Sequence, residues 1–156
     1  MNPMTPLLLV GPPGCGKTLW ARNAARDLND SLPLKTGAIY QLAGLRYESA
    51  TPFRAPHHTI STRAMIGLVR RNGLWMPGEM ALAHGGVLFL DEVTEFSRGA
   101  LDLVVRAIPT ATFQLISATN PCPCGQRRPA CVCTQTQINR YLGRIPKELR
   151  VEEKYL

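Results

Sequence analysis

A glycine-rich segment at residues 11–18 carries the clearest chemistry in this chain. Its sequence, GPPGCGKT, fits the pattern G-x-x-x-x-G-K-[ST], in which backbone N–H groups wrap around a phosphate. An apolar run, LLLV, precedes it and a helix-compatible stretch follows, so the helix N-terminus would add its partial positive charge. The pattern predicts a nucleotide-phosphate loop made of Gly11, Pro12, Pro13, Gly14, Cys15, Gly16, Lys17 and Thr18.

A second short apolar run, VLFL at residues 87–90, ends in two carboxylates, Asp91 and Glu92. An acid at the carboxyl end of a strand beside a phosphate loop can support Mg²⁺, together with the hydroxyl of Thr18. We therefore predict Thr18 and Asp91 as the magnesium residues, and Glu92 as the group that orients or deprotonates an attacking water. The alternative interpretation is a plain strand followed by a charged, solvated turn.

A third candidate strand, FQLISA at residues 113–118, is followed by Thr119 and Asn120. An asparagine at this place can hydrogen-bond the γ-phosphate or the attacking water and so sense the state of the nucleotide. We predict that role for Asn120, with ATP and Mg²⁺ as the ligands. An Asn-Pro turn without catalytic function is the alternative.

Four of the five cysteines form two C-x-C pairs, Cys122 with Cys124 and Cys131 with Cys133. Close cysteines in a protein of a reducing compartment indicate metal before disulfide, and four thiolates are a common structural zinc set. The C-x-C spacing departs from the usual C-x₂₋₄-C, so free or redox-active thiols stay open as the alternative. A zinc site here would follow Asn120 directly and would present Arg127 and Arg128 outward.

The three histidines, His57, His58 and His84, have no carboxylate at metal-ligand spacing. We interpret them as loop residues of an insert that also contains Glu79, with either a contact or a packing role.

Candidate cations for a polyanion such as DNA, or for contact with a neighbouring subunit, lie in two groups. These cations are Arg63, Arg70 and Arg71, and then Arg127, Arg128, Arg140, Arg144, Lys147 and Arg150.

Composition narrows the class of protein. The 156 residues carry a net charge of +7, and 45% of them are hydrophobic, which suits one globular domain. No apolar run approaches the length that a membrane span needs, and MNPMTP lacks the charged start of a signal peptide. We therefore expect a cytoplasmic protein with no membrane partner.

Strands and helices are predicted to alternate along the chain, which indicates an α/β fold with a mostly parallel sheet and the nucleotide at its C-terminal edge. Strands are predicted at residues 7–10, 38–42, 87–90 and 113–118. Helices are predicted at residues 17–28, 62–69, 80–84, 99–108 and 135–142. A turn is predicted at 29–34, and Thr134 and Gln137 are expected to form a capping box at the start of the last helix.

Several longer strings resemble the magnesium-chelatase-like AAA+ ATPases, and within them the ComM-type branch. These strings are GPPGCGKT, FRAPHHTIS, PGEMALAHGGVLFLDE, EFSRGALD, FQLISATNPCPCG and CVCT. The resemblance implies a P-loop NTPase core of the AAA+ type that forms a homo-oligomeric, hexameric ring, hydrolyses ATP and, in the ComM-type branch, acts on DNA in recombination. It also implies one truncated AAA+ domain over residues 1–156, with an insert at about 49–78 and a Cys-rich loop at 121–134.

The chain departs from the family pattern in three places. The family usually carries a domain before the phosphate loop, a longer connection after the helix at 99–108, and an arginine-bearing segment with a helical lid after residue 145. Two functions therefore stay open: a Mg-ATP-dependent ATPase that remodels DNA, or a nucleotide-binding module that does not hydrolyse ATP. The ATPase subunit of a metal chelatase is a third function, and the cysteine pairs argue against it.

Overall fold

The computed structural model describes residues 5–28, 33–48, 50–126 and 129–156. Its helices are α1 (Lys17–Asp27), α2 (Pro33–Leu42), α3 (Thr62–Ile66), α4 (Glu79–Leu82), α5 (Arg98–Ala107) and α6 (Gln135–Leu142). Its strands are β1 (Leu7–Val10), β2 (Phe53–Arg54), β3 (Gly67–Val69), β4 (Trp75–Pro77), β5 (Val87–Leu90), β6 (Gln114–Thr119) and β7 (Glu152–Tyr155). Short 3₁₀ turns lie at Val93–Glu95, Ile108–Thr110 and Lys147–Leu149.

The main sheet has five strands in the order β2-β5-β6-β1-β7, and each neighbouring pair is parallel. The predicted α/β fold with a mostly parallel sheet is therefore confirmed. Because the strands are parallel, the residues that follow β1, β5 and β6 all emerge at one edge of the sheet. The phosphate loop, the two carboxylates and Asn120 are those residues.

Both faces of the sheet are buried, which explains why its central strands are apolar without alternation. In β1, Leu8 and Val10 pack toward α5, whereas Leu7 and Leu9 pack toward α1. The four residues of β5 divide between the two sides in the same way. The strands that carry the candidate site are thus held on both sides, and the loops that follow them start from fixed positions.

Most of the predicted elements lie within one residue of their expected bounds. The capping box of α6 is present, since the Thr134 Oγ1 accepts from the Gln137 N–H at 3.3 Å and the Gln137 side chain accepts from the Thr134 N–H at 2.9 Å. Residues 29–32 of the turn predicted at 29–34 lie outside the described residues, and residues 33 and 34 begin helix α2 instead. Of the helices that the structure describes, none is both long and apolar enough to cross a membrane.

Two predicted elements differ from the structure, one in type and one in length. Residues 38–42 form the second half of helix α2 rather than a strand, because the helix begins at Pro33 and buries Thr36 against His84. The helix predicted at 62–69 ends at Ile66. Gly67 there has φ 106°, and β3 pairs antiparallel with β4 to form a hairpin.

Two further strands were not predicted. Strand β2 lies inside the segment predicted as an insert and pairs with β5. Strand β7 pairs with β1 at the opposite edge of the sheet. A bidentate ion pair holds the end of β2, since the Arg54 guanidinium donates to both carboxylate oxygens of Glu79 at 2.7 Å. The hydrogen bond to Glu79 raises the pKa of Arg54. Glu79 of the predicted insert thus has a structural partner.

Candidate functional site

The glycine-rich loop connects β1 to α1 and is anchored on the neighbouring strand. The Gly11 N–H donates to the carbonyl oxygen of Thr119 at 3.1 Å, which ties the loop to the end of β6. Gly14 and Gly16 have φ values of 75° and 93°, a conformation that side chains rarely adopt. The loop turns directly into the first turn of α1, so backbone N–H groups and the helix dipole face the same space.

Lys17 connects the loop to the end of β6. Its Nζ donates to the carbonyl oxygens of Gly11 at 2.7 Å and Pro12 at 3.0 Å, and to the Asn120 Oδ1 at 3.3 Å. Two predicted site residues that are far apart in sequence are therefore within hydrogen-bond distance. The ammonium group and the amide face one space, where both can contact a phosphate.

Thr18 and Asp91 meet on the other side of this space. The Thr18 hydroxyl donates to the Asp91 Oδ2 at 3.1 Å, and the second carboxylate oxygen of Asp91 accepts the backbone N–H of Glu92 at 3.0 Å. A hydroxyl and a carboxylate are oxygen ligands of the kind that Mg²⁺ takes beside substrate phosphates. The donor set at this position fits the predicted ion.

Glu92 has an unusual backbone conformation. Its φ is 51° and its ψ is 49°. Among the non-glycine residues that the structure describes, Glu92 alone has a positive φ. A left-handed conformation costs a residue with a side chain about 1–2 kcal/mol. Glu92 lies between the buried strand β5 and the 3₁₀ turn, and its exposed side chain lines the same cavity as Asp91.

Most of the predicted residues line one open cavity of about 370 Å³, a size that suits a small ligand. Its lining is Pro13, Gly14, Gly16, Lys17, Thr18, Leu19, Asp91, Glu92, Thr119 and Asn120. Gly11, Pro12 and Cys15 do not line it. The first two supply carbonyl groups to Lys17, and Cys15 packs its sulfur against Gly11, where an added Cβ would lie 2.5 Å away.

Sequence reasoning missed a functional candidate, His58. A second cavity of about 250 Å³, lined by Thr18, Asp91, Glu92 and the loop after β2, adjoins the first. The His58 Nδ1 lies 3.8 Å from the Glu92 Oε2, and the His57 ring lies 4.0 Å from the His58 ring. His84 is elsewhere, paired with Thr36 at 3.0 Å. The parallel pairing of β2 with β5 brings the RAPHH loop, residues 54–58, next to Glu92. No local sequence pattern predicts this pairing.

The four predicted cysteines form one cluster close to Asn120. Their sulfur atoms lie within 4.8 Å of one another, and each thiol is free. Burial raises the pKa of Cys122 to about 12. At Cys124, which is exposed, a hydrogen bond from the Gln126 backbone lowers the pKa of the thiol to about 6.

The basic residues divide among several surfaces. Arg63, Arg70 and Arg71 are exposed on α3 and on the β3–β4 hairpin, and Arg140 is exposed on α6. Arg144 lies 3.7 Å from Glu95, and Arg150 pairs with Glu153 at 2.8 Å. Arg127 and Arg128 are outside the described residues.

Comparison with protein families decides the classification. The family described as magnesium chelatase, subunit ChlI, matches residues 4–110 and 105–151 of this chain. The chain belongs to this family. Its two matched segments meet at the short connection between α5 and β6. The resemblance predicted from the motifs is thereby confirmed.

Individual relatives agree with this membership. YifB of Escherichia coli is 39% identical over 162 residues, and competence protein ComM of Haemophilus influenzae is 35% identical over 162 residues. Each match covers 89% of this chain and 31% of the relative. The magnesium-chelatase-like chain therefore spans about a third of the length of these two relatives.

Solved structures share the fold. In a cryo-EM-based structure of the complex between subunits BchI and BchD of magnesium chelatase, the similarity has a TM-score of 0.63 at 16% identity. It covers 96% of this chain and 65% of that one. NtrX from Brucella abortus in complex with ATP gives a TM-score of 0.60 at 19% identity, covering 97% of this chain and 33% of that one. The predicted AAA+ fold is confirmed.

Proposed function

We propose that this magnesium-chelatase-like chain is a Mg-ATP-binding AAA+ ATPase core. One observation carries the proposal: the residues after β1, β5 and β6 bring Lys17, Thr18, Asp91 and Asn120 to one cavity with phosphate- and magnesium-compatible groups. The ATP-bound NtrX structure of similar fold supports the choice of ligand. The proposal takes residues 1–156 as one ATPase domain with an insert at 49–78 and a Cys-rich loop at 121–134, in the cytoplasm, where ATP is available.

Each residue has a definite role in the proposed reaction. Lys17 binds the β- and γ-phosphates and exchanges its loop carbonyl contacts for phosphate oxygens. Thr18 and Asp91 hold the magnesium ion, which when bound would neutralise charge on the phosphates. Glu92 orients the attacking water and accepts its proton, and Asn120 hydrogen-bonds the γ-phosphate. Gly14, Gly16 and the start of α1 supply backbone N–H groups to the phosphates.

His58 is expected to position Glu92. Replacing His58 with Ala removes the group 3.8 Å from the Glu92 carboxylate and should lower kcat for ATP hydrolysis about 3- to 10-fold. The affinity for ATP should stay unchanged, because His58 does not line the phosphate cavity. His57→Ala should have a smaller effect, because the His57 Nδ1 pairs with the Thr59 hydroxyl at 2.9 Å and its ring touches that of His58 rather than Glu92. Equal kcat values in wild type and His58→Ala would contradict this role.

We further propose that the chain assembles into a homo-oligomeric, hexameric ring that acts on DNA. The BchI–BchD complex is an assembly of a protein with this fold, and ComM is named as a competence protein. The β3–β4 hairpin offers a suitable surface, because Arg70 and Arg71 are exposed at its turn beside Leu74 and Trp75. Exposed arginines contact phosphates, and an exposed indole can stack on a base.

The proposed function is tested by measuring phosphate release from ATP with and without DNA, over a series of salt concentrations. The double variant Arg70→Ala/Arg71→Ala should lose most of the DNA stimulation, and the salt slope of DNA binding should fall by about 2. Arg26→Ala/Arg106→Ala removes two exposed arginines from α1 and α5 and is the matched control. The same stimulation and slope in both double variants would remove the hairpin from the proposal. ATP binding without turnover would favour the non-hydrolysing module.

A further inference from the structure

The cysteine cluster has the dimensions of a four-thiolate metal site. Zinc–sulfur bonds of about 2.3 Å place neighbouring sulfur atoms of a tetrahedron about 3.8 Å apart. The Cys122 sulfur lies 3.3 Å from that of Cys124 and 3.6 Å from that of Cys131, and the Cys124 and Cys131 sulfurs lie 3.7 Å apart. With Cys133, all four sulfurs lie within 4.8 Å of one another. These separations are too long for disulfide bonds and suit a small tetrahedral ion.

The turn that carries the first cysteine pair packs on the phosphate loop. The Gly125 N–H donates to the carbonyl oxygen of Cys122 at 3.1 Å, which closes the turn. Gly125 has φ 71°, and a Cβ at this position would lie 3.1 Å from the Pro13 ring and 3.7 Å from the Asn120 Nδ2. The cluster therefore connects to two residues of the nucleotide cavity. One of them, Asn120, is two positions before Cys122 in the chain.

We propose that Cys122, Cys124, Cys131 and Cys133 bind Zn²⁺ and that the loaded site holds the Cys122–Gly125 turn against Pro13 and Asn120. Zinc thereby fixes the phosphate loop and the Asn120 amide in the geometry that ATP requires. Zinc binding stands on the cluster alone, whereas its effect on ATP rests on the proposed function. The set is closed to other ligands, because four protein thiolates complete the tetrahedron, so the role is structural.

Metal content tests the site itself. The full chain, purified with Zn²⁺ present, should contain one zinc per chain by elemental analysis. After replacement by Co²⁺, it should show the sulfur-to-cobalt charge transfer and the intense visible bands of a tetrahedral thiolate site. Cys131→Ser/Cys133→Ser should lose the metal, and Cys15→Ser, which alters the cysteine outside the cluster, should keep it. A metal-free wild-type chain in which all five thiols are titratable, or zinc retained by the double variant, would overturn the site.

ATP affinity tests the coupling. Removal of zinc by a chelator should weaken binding of a fluorescent ATP analogue roughly tenfold, the effect of a displaced hydrogen bond to a charged group. Gly125→Ala keeps all four thiolates and separates coupling from loss of folding. It should retain one zinc and bind the analogue more weakly, because its Cβ would press on Pro13. Equal affinity in zinc-loaded, zinc-free and Gly125→Ala chains would overturn the coupling. No analogue binding by the zinc-loaded wild type would instead refute the proposed ATP site.

Discussion

Lys17→Ala is expected to weaken the binding of Mg-ATP by at least about 100-fold and to abolish hydrolysis. The ammonium group hydrogen-bonds both the loop carbonyls and the Asn120 amide, and no other residue that lines the described cavity is a cation. The fold should survive, because Lys17 lies on the first turn of α1 and packs no core residue. Equilibrium titration with a fluorescent ATP analogue measures the effect.

Lys35→Ala is the matched control for this variant. Lys35 is an exposed lysine in the first turn of α2, and it does not line the phosphate cavity. Its removal lowers the net charge by the same amount and should leave affinity within about twofold of wild type. If Lys17→Ala bound ATP as tightly as Lys35→Ala does, the nucleotide would not occupy the glycine-rich loop, and the assignment of the site would fail.

Glu92→Gln should separate binding from chemistry. The amide cannot accept a proton from water, so the rate of hydrolysis should fall about 100-fold or more, while ATP affinity stays the same or rises. A general base acts only in the transition state, which is why kcat rather than binding carries the loss. Single-turnover hydrolysis of radiolabelled ATP, with enzyme in excess, measures the chemical step without the complication of product release.

Glu148→Gln makes the same change at an exposed carboxylate outside the phosphate cavity and should hydrolyse ATP at the wild-type rate. A Glu92→Gln variant with wild-type turnover would show that another group orients the water.

Asp91→Asn then gives a further distinction, since loss of its carboxylate should raise the Mg²⁺ concentration that half-saturates activity. Glu92→Gln should leave that concentration unchanged.

The core of the site was predictable because its signals are local. A few consecutive residues are enough to predict each part: the loop pattern at Gly11–Thr18, the buried strand before Asp91 and the strand before Asn120. Parallel pairing of β1, β5 and β6 then brings their ends together, and the observed contacts of Lys17 with Asn120 and Thr18 with Asp91 agree with that expectation. The roles of these residues stay predictions until the variants are measured.

Other features depend on contacts between residues far apart in the chain, which no local sequence pattern predicts. Strand β7 reads EEKY, with exposed charged residues, and is a strand only because the edge of β1 pairs with it. Residues 38–42 contain Ile39 and Tyr40, which favour a strand in a short window, yet they continue the helix that starts at Pro33. His58 reaches Glu92 through the two-residue strand β2, which is too short to give a pattern.

Calorimetric titration of the wild-type chain with ATP, in the presence and absence of Mg²⁺, tests directly whether the cavity binds Mg-ATP. We expect one ATP per chain, tighter binding with Mg²⁺ than without it, and competition by ADP, because Thr18 and Asp91, which lie within hydrogen-bond distance of each other, would hold the ion beside the phosphates. No saturable binding at millimolar ATP, or binding that does not depend on Mg²⁺, would show that residues 11–18, Asp91 and Asn120 do not form a Mg-ATP site.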